Sequence, residues 1–333
     1  MAIERPPRLD DASHLNYPSF PLPAHSPLPS SDLEPSSADS SSKASVKIAI
    51  IGDLHGSFDA ADAAYFNRSD YDLLLLTGDL GSGTAQNGIA VAREVARLEK
   101  PTLVVAGNND APHASDIAAE FKYQGRLAAL MRSMRSETPE SGSAVHLAGY
   151  DLRTYTFRDT SFSVLVGRPY SRGGPEIAFA SELEERYGVR GFERSRERLF
   201  ELIEAAPSQN IIWLAHNGPS GLGSSPTDIW GCDFKADGGD WGDIDLEEAI
   251  FHTRMKKRLV AVIAGHMHRS IRHEGKKIDR TAVIEKGNAL YINPAVVPRI
   301  VTGEFGPRRH HMALEFEADK PARTSDVWVE DRT

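Results

Sequence analysis

Residue types that bind divalent cations recur in this chain immediately after short apolar runs. Asp53 and His55 stand two residues apart in GDLHG, and His266 and His268 repeat that spacing in GHMH. Side chains two residues apart point to the same face of extended backbone, so each pair can be directed at a single cation. Carboxylate and imidazole groups suit transition metals. The two motifs therefore predict metal chemistry.

Three further apolar runs end in side chains of the same kind, namely Asp79 in TGDLG, Asn108 in GNND and His216 in LAHNGP. Each motif alone is typical of a helix cap or a turn. Their occurrence in one order, each at the end of an apolar run, favours a shared site. Because Cys232 is the single cysteine, a thiolate cluster and an intrachain disulfide are excluded. Any metal must be held by His, Asp, Glu or Asn.

The apolar runs that position these side chains have the length of buried strands. They occupy residues 46–52, 71–78, 102–107, 162–167, 210–216 and 258–265. Helical spacing lies between them, as in Ile89, Ala92 and Val95. The alternation predicts an α/β fold whose strand ends carry the site.

The remaining segments carry weaker signals. Residues 123–144 are interpreted as an irregular surface insertion and 170–190 as a loop leading into a helix. Strand-like runs at 288–293 and 311–317 favour a second sheet packed on the first. Asp243 or Asp245 is predicted to cap the helix that follows the glycine-rich GGDWGD.

The motif order D-x-H, GD, GN, H and GHxH resembles the calcineurin-like metallophosphoesterase superfamily, over about residues 46–317. The segments GRPYSRGGPE, AHNGPSGLG and GGDWGD are similar to a little-characterised branch of it. The resemblance implies a four-layer α-β-β-α sandwich of two mixed sheets flanked by helices. It also implies hydrolysis of phosphate esters by a dinuclear metal centre with a bridging hydroxide.

The resemblance further implies how the ligands divide between two divalent metal ions, which we expect to be Mn, Fe or Zn. One ion would be bound by Asp53, His55, Asp79 and His268. The other would be bound by Asp79, Asn108, His216 and His266. Asp79 would bridge the two ions, which together acidify a shared water and stabilise the attacking and leaving oxygens.

The chain departs from the pattern of many superfamily members directly after Asn108, where Asn109 replaces a histidine credited with protonating the leaving alcohol. A carboxamide has no proton to give near neutral pH. We therefore expect a preference for good leaving groups, and for diesters over alkyl monoesters. His113 is the alternative proton donor.

The predicted catalytic residues are thus Asp79, Asn108, Asn109 and His216. Substrate contacts are predicted for Asn109, for Asn217 and for Arg168, whose guanidinium suits phosphate. Two of these have simpler interpretations, since Asn217 is also typical of a turn and Arg168 of a structural ion pair.

Composition limits the partners. A formal net charge of −9 argues against nucleic acid bound through a broad basic surface. No apolar run reaches the roughly 20 residues of a membrane span. A cytoplasmic enzyme acting on a small-molecule phosphate ester is the leading hypothesis, with the oligomeric state left open. A nuclease, a phosphoprotein phosphatase and a non-catalytic metal-binding scaffold are the alternatives.

Three segments are predicted along the chain. Residues 1–46 are rich in Ser and Pro without apolar periodicity, which favours a disordered tail. Acidic residues such as Glu4, Asp10 and Asp11 are untypical of a transit peptide. Residues 47–318 form the predicted catalytic domain, and 319–333 a C-terminal extension.

Overall fold

Two large β-sheets and a separate hairpin account for the strands in the computed structural model, which describes residues 45–330 except 83, 135–143, 235–237 and 274. The strands are β1 (Val46–Ile51), β2 (Leu73–Leu76), β3 (Thr102–Val105), β4 (Val145–Ala148), β5 (Leu152–Phe157), β6 (Thr160–Val166), β7 (Asn210–Ala215), β8 (Arg258–Ala264), β9 (Ser270–His273), β10 (Lys276–Asp279), β11 (Val283–Lys286), β12 (Ala289–Ile292), β13 (Ile300–Thr302), β14 (Pro307–Phe316) and β15 (Arg323–Glu330).

Both large sheets are mixed. In the first, the strand order is β13-β14-β1-β2-β3-β4, with β15 also paired to β14. Strands β1 to β4 run parallel, and β14 is antiparallel to β1. In the second, the order is β11-β12-β8-β7-β6-β5, and its four central strands are parallel. Strands β9 and β10 form the hairpin.

Continuous apolar runs become strands here because both faces of each sheet are covered. Strand β2 consists of four leucines, all fully buried. Leu73 and Leu75 belong to the core between the two sheets, which also contains Ile212 from β7. Leu74 and Leu76 pack on the opposite side of their sheet. The alternation follows from the two-residue period of a strand.

Helices cover the outer face of each sheet. They are α1 (Ala60–Arg68), α2 (Ala85–Val95), α3 (Ala114–Met134), α4 (Ala180–Tyr187), α5 (Gly191–Ala205) and α6 (Ile244–Lys256), with a 3₁₀ turn at Ala111–His113. Phe66 of α1 and Phe121 of α3 pack on the first sheet. Leu199 of α5 and Ala249 of α6 pack on the second. The predicted four-layer sandwich is therefore confirmed.

Two of the segments predicted to be irregular contain helix. Helix α3 runs to Met134, so the prediction of an irregular insertion from residue 123 is wrong for that part; residues 135–143 lie outside the described ones. Apolar side chains on its exposed face, such as Tyr123 and Leu130, obscured the helical period. The segment 170–190 likewise includes α4, which ends at Gly188 in the left-handed conformation.

The structure describes the two predicted terminal segments to different extents. The predicted disordered tail lies outside the described residues except for its last two, and Val46 already begins β1. In the predicted C-terminal extension, β15 pairs along β14 from Arg323↔Glu315 to Glu330↔Arg308. The domain boundary at 318 stays a prediction. Within the described part of the chain, none of the helices combines the length and apolar character that a membrane crossing requires.

Candidate metal centre

The loops after five parallel strands meet at one edge of the sandwich, as the carboxyl ends of strands do in α/β folds. Within the first sheet, the amide of His55 donates to the carbonyl of Asp79 at 2.8 Å. Within the second, the amide of Gly265 donates to the carbonyl of His216 at 2.8 Å. Motifs far apart in the sequence are thereby held side by side.

A first group of ligand atoms comes from Asp53, His55 and His268, all within 4.8 Å of one another. The Nε2 atoms of the two histidines are 3.0 Å apart. His268 Nε2 lies 3.7 Å from Asp53 Oδ2. Two imidazole nitrogens and a carboxylate oxygen therefore face a common point.

A second group comes from Asp79, His216 and His266, with the same mutual spacing of 4.8 Å or less. The amide oxygen of Asn108 joins it, at 3.0 Å from His216 Nε2. The rings of His216 and His266 have centroids 5.0 Å apart. This group offers two imidazoles, one carboxylate and one neutral oxygen.

Asp79 connects the two groups. Its Oδ2 lies 3.6 Å from Nε2 of His55, in the first group. Its Oδ1 lies 3.6 Å from Nε2 of His216, in the second. Each carboxylate oxygen thus faces a different group, which is the arrangement that a bridging ligand needs.

Backbone strain marks the same residues. His55, Asp79 and His266 have φ values of 41°, 47° and 63°, in the left-handed region that residues with a Cβ rarely adopt. Such strain is held in place by the surrounding structure and concentrates at functional sites. Three of the candidate ligands are therefore directed by a conformation that costs stability.

Two glycines make room for the carboxylates. A Cβ on Gly107 would lie 2.1 Å from Asp79 Oδ1, and one on Gly265 would lie 2.0 Å from Asp53 Oδ1. Both contacts are far below van der Waals distance. The glycine that precedes the ligand in GN and in GHMH is therefore required by close packing.

Hydrogen bonds orient the ligands from behind. The carbonyl of Thr77 can only accept, so Nδ1 of His216, 2.6 Å away, carries the proton. That leaves Nε2 of a neutral His216 with a free lone pair facing the site. The Thr77 hydroxyl donates to Asp53 Oδ1 at 2.8 Å. The ring of His266 bonds the carbonyl of Arg172. Metal-binding histidines are commonly oriented in this way.

The sequence that forms this site matches a known protein family. The family model described as calcineurin-like phosphoesterase matches residues 46–270, the span that carries all of the candidate ligands. The chain belongs to the calcineurin-like phosphoesterase family. No curated protein matches the sequence significantly.

Several solved structures are similar to this phosphoesterase at low sequence identity. One crystal structure has a TM-score of 0.51 at 14% identity, covering 84% of this chain and 98% of that one. A protein from Thermus thermophilus has a TM-score of 0.49 at 15% identity, over 85% and 99%. A dimetal phosphatase from Danio rerio has a TM-score of 0.43 at 12% identity, over 86% and 98%.

Electrostatics favour neutral imidazoles at His266 and His268 of the phosphoesterase. Burial lowers the pKa of His266 to about 3, and it also lowers the pKa of His268. Both rings are therefore unprotonated near neutral pH and have lone pairs for a metal. Burial also acts on His216, but the carboxylates of Asp79 and Asp53 outweigh it and raise the pKa.

The donor set fits two divalent cations. The buried carboxylates of Asp53 and Asp79 face imidazoles, at distances of 3.6 and 3.7 Å that exceed a hydrogen bond. The Nε2 atoms of His55 and His268 likewise face one another, at 3.0 Å. Cations between these groups would compensate both. Imidazole with carboxylate and amide oxygen suits Mn, Fe or Zn.

A cavity of about 400 Å³ opens onto these ligands. His55, Asp79, Asn108, His266 and His268 line it, together with Asn109. A larger cavity of about 700 Å³, beside α1 and α3, is lined by none of the candidate ligands. The smaller cavity is therefore the candidate substrate site, since chemistry and space coincide there.

Asn109 lies against the bridging carboxylate. Its backbone amide donates to Asp79 Oδ1 at 2.8 Å, and its side-chain Nδ2 donates to Asp79 Oδ2 at 2.7 Å. His113 lies in the 3₁₀ turn and is not among the described residues that line the cavity. The geometry gives the alternative proton donor no support.

The predicted substrate contact of Arg168 must be corrected. Its side chain is 2% exposed, and its guanidinium donates to Asp243 and Asp245 at 2.8 and 2.9 Å. Arg168 is therefore a structural ion-pair partner, as the alternative interpretation held. Asp243 stands at the N-cap of α6, but its side chain makes no capping bond because it is engaged by Arg168.

Asn217 is also not among the described residues that line the cavity. Its Nδ2 donates to the carbonyl of Trp241 at 3.0 Å and to Asp243 Oδ1 at 3.2 Å, and the residue is fully buried. The predicted substrate contact is corrected accordingly. Asn217 instead connects the loop after His216 to the Arg168 ion pairs.

Sequence reasoning missed several residues around the site. Asp110, two positions after Asn108, accepts bonds from the amides of Leu80 and Gly107 at 2.9 Å each. Burial and the charge of Asp79 raise its pKa to about 7. The aspartate that ends GNND was the available signal for it. Phe234, Arg272 and Arg280, which line the cavity, belong to no motif.

Proposed function

We propose that this phosphoesterase hydrolyses phosphate esters of small molecules with two divalent metal ions. The observation that supports this proposal best is the position of Asp79. One of its carboxylate oxygens lies 3.6 Å from a histidine of the first ligand group, and the other lies 3.6 Å from a histidine of the second. A structural site for one metal ion has no use for such a connection. The family match supports phosphoester hydrolysis as the reaction.

Each group would hold one ion. Asp53, His55 and His268 would bind the first, with Asp79 shared. Asp79, His216 and His266 would bind the second, with Asn108. When bound, two such ions lower the pKa of a shared water and stabilise negative charge on the oxygens of an in-line displacement.

The protein's own residues orient the metal ligands and exclude bulk water from the site. Thr77 fixes Asp53 through its hydroxyl and His216 through its carbonyl. The burial of Asp53, Asp79 and His216 keeps bulk water from the inner side of the site and strengthens its electrostatic interactions. The cavity supplies the opposite, accessible side for the ester.

The size of that cavity supports a small substrate. About 400 Å³ falls near the lower end of the roughly 300–1,000 Å³ typical of small-molecule pockets. A folded phosphoprotein or a nucleic acid would have to present its phosphate to this recess from outside. We therefore favour a small-molecule ester over a phosphoprotein or a nucleic acid as the substrate.

The leaving group distinguishes substrates further. Asn109 donates both of its observed bonds to Asp79, and an amide has no proton to transfer to an alcohol near neutral pH. Esters whose alcohols leave without protonation should therefore react best. This favours aryl esters and diesters over alkyl monoesters.

Replacing Asn109 by His tests this dependence. The variant should hydrolyse an alkyl monoester at least about 10-fold faster, because a positioned general acid typically contributes 10²–10⁴-fold. The rate on an aryl ester should change much less. Steady-state kcat on both esters is the measurement, with His113→Ala as the control. Equal aryl and alkyl rates in the wild type and in His113→Ala would contradict the proposed lack of a proton donor.

A substrate and metal screen tests the function itself. Purified protein would be stripped of metal, reloaded with Mn, Fe or Zn, and assayed on phosphomonoesters, cyclic nucleotides and aryl diesters. We expect turnover that depends on added metal and disappears with chelator. Two bound ions without turnover on any ester would favour the non-catalytic scaffold.

A further inference from the structure

The outer wall of the cavity carries an aromatic ring and a guanidinium that the metal chemistry does not use. Phe234 and Arg272 both line the cavity that contains His55, Asp79 and His268. Phe234 is 55% exposed. Arg272, on β9, is exposed and makes no ion pair or side-chain hydrogen bond within the described part of the chain.

The aromatic ring is exposed yet held in position. The adjacent Asp233 accepts a hydrogen bond from Arg280 at 2.5 Å. The Phe234 ring also packs edge-on against Trp241, with centroids 5.2 Å apart. Arg280 in turn bonds the carbonyl of His268, which connects this wall to the metal ligands. An ordered aromatic face at a cavity is ready to pack against a flat ligand.

Charge on this wall is also uneven. The negative charge of Asp233 is compensated by the positive charge of Arg280 through their ion pair. Among the described residues that line the outer wall, Arg272 therefore leaves a net positive charge. A guanidinium such as that of Arg272, which has no partner among the described residues, is well suited to a phosphoryl oxygen, which it can bind through two parallel hydrogen bonds.

We propose that Phe234 and Arg272 select phosphate esters that carry a planar aromatic group near the scissile bond. Phe234 packs against the aromatic group, and Arg272 binds the phosphoryl group on the side away from the metals. This inference rests on the proposed function and names its substrate class. It is independent of the Asn109 argument, although both favour aryl esters.

Phosphonates test the proposal without chemistry, because their carbon–phosphorus bond removes any effect of the leaving group. Calorimetry on the Mn-loaded full chain would compare phenylphosphonate with cyclohexylphosphonate, which has a ring of similar size that is not flat. We expect the wild type to prefer the phenyl compound. Phe234→Ala should reduce that preference about 5-fold, the value of one aromatic pair. Phe234→Tyr should keep it.

Arg272 should act on both compounds alike. Arg272→Gln is expected to weaken both phosphonates about 10-fold, as the loss of a charge-assisted bond predicts. Arg272→Lys should restore part of the binding. Matched controls are Phe251→Ala, another exposed phenylalanine, on α6, and Arg323→Gln, another exposed arginine, on β15. Neither lines the cavity, so neither should change the binding.

The same binding measurements distinguish two sources of the aromatic group, a nucleobase and an aryl ester. Tighter binding of the phosphonate analogue of adenosine monophosphate than of phenylphosphonate, lost in Phe234→Ala, would identify a nucleobase. The reverse order would identify an aryl ester. Absence of phosphonate binding, or an unchanged preference in Phe234→Ala, would overturn the inference. Hydrolysis of any ester by the same wild-type sample would then leave the proposed function standing.

Discussion

Two buried clusters of charged residues lie side by side in this protein, and their chemistry is opposite. In the Arg168 cluster, the guanidinium bonds Asp243 and Asp245, and Ser195 donates to Asp245. In the metal centre, Asp53 and Asp79 face imidazoles at distances longer than hydrogen bonds. An arginine bonds the carboxylates of the first cluster, whereas among the described residues only imidazoles form ion-pair contacts with those of the second.

The difference separates structure from function. Burying a charge is costly unless a partner compensates it. The Arg168 cluster supplies a guanidinium as that partner within the chain, whereas metal ions would supply it at the centre around Asp79. Asn217 joins the two, since it follows His216 and bonds Asp243. A buried carboxylate is therefore informative about metal ligands when its charged neighbours are imidazoles and not a guanidinium.

The largest expected effect is at the bridging carboxylate. Asp79→Asn should lower kcat at least about 1,000-fold, because it removes the ligand that both ions share. In the metal-free protein the same change removes the negative charge that attracts the buried imidazole of His216, so the free energy of unfolding should fall, but by less than in Arg168→Met. Steady-state kinetics and chemical denaturation in chelator measure the two effects. A loss of stability as large as that of Arg168→Met, with kcat unchanged, would contradict the contrast between the clusters.

Arg168 should show the reverse pattern. Arg168→Met leaves Asp243 and Asp245 buried without a cation, so the free energy of unfolding should fall by about 3–5 kcal/mol. The kcat of the folded fraction should change far less than in Asp79→Asn. Denaturant titration measures the loss. The triple variant with Asp243→Asn and Asp245→Asn should regain much of it, and failure to do so would count against the ion-pair role.

His311 provides a buried imidazole outside both clusters. Burial lowers its pKa to about 3, below the ordinary 6.5, and its Nε2 lies 2.8 Å from the hydroxyl of Tyr71. A lowered pKa contributes stability above the unfolded value that is lost as the pH falls toward the folded one. From pH 7.5 to 5, His311 should cost the wild type about 2 kcal/mol.

The corresponding variant is His311→Gln. Its unfolding free energy should fall less steeply over the same pH range, whether metal is present or chelated, because His311 is not a candidate ligand. Denaturation at several pH values gives the comparison. Parallel pH profiles for the two proteins would show that His311 is not the source.

The smallest expected effect concerns Thr77, whose hydroxyl bonds Asp53 at 2.8 Å. Thr77→Val keeps the carbonyl that orients His216 and removes the hydroxyl, so affinity at the first ion site should fall about 10-fold, as such supporting contacts typically cost. Thr77→Ser should retain wild-type affinity. Metal titration of the stripped proteins measures the change. Equal weakening at both sites would point to a general structural defect instead.

Most of the fold could be predicted from the sequence, because buried parallel strands are continuous apolar runs. Strand β2, for example, consists of four leucines. Helix α3 was partly missed because Leu130 and Met131 lie on its exposed face, which blurs the 3.6-residue period. Strand β5 was missed as well. It lies at an edge of its sheet, and each of its side chains is exposed or partly exposed.

For the site, the order of the motifs identified the candidate ligands, and the structure brings these residues together. The motifs could not show which neighbouring polar residues contact a substrate and which are structural. Arg168 and Asn217 lie next to glycines in the sequence and look equally suited to phosphate. Their partners come from residues 241–245, a tertiary contact that no local pattern reveals. Phe234 and Arg272 depend in the same way on where a loop and a hairpin meet the cavity.

Metal stoichiometry tests the central claim most directly. Elemental analysis of wild type and Asp79→Asn, each stripped and then reloaded under the same conditions, would count ions per chain. The account predicts two ions in the wild type and at least one fewer in Asp79→Asn. A wild type that binds none, or an Asp79→Asn variant that keeps two with unchanged affinity, would contradict a shared centre built around this carboxylate.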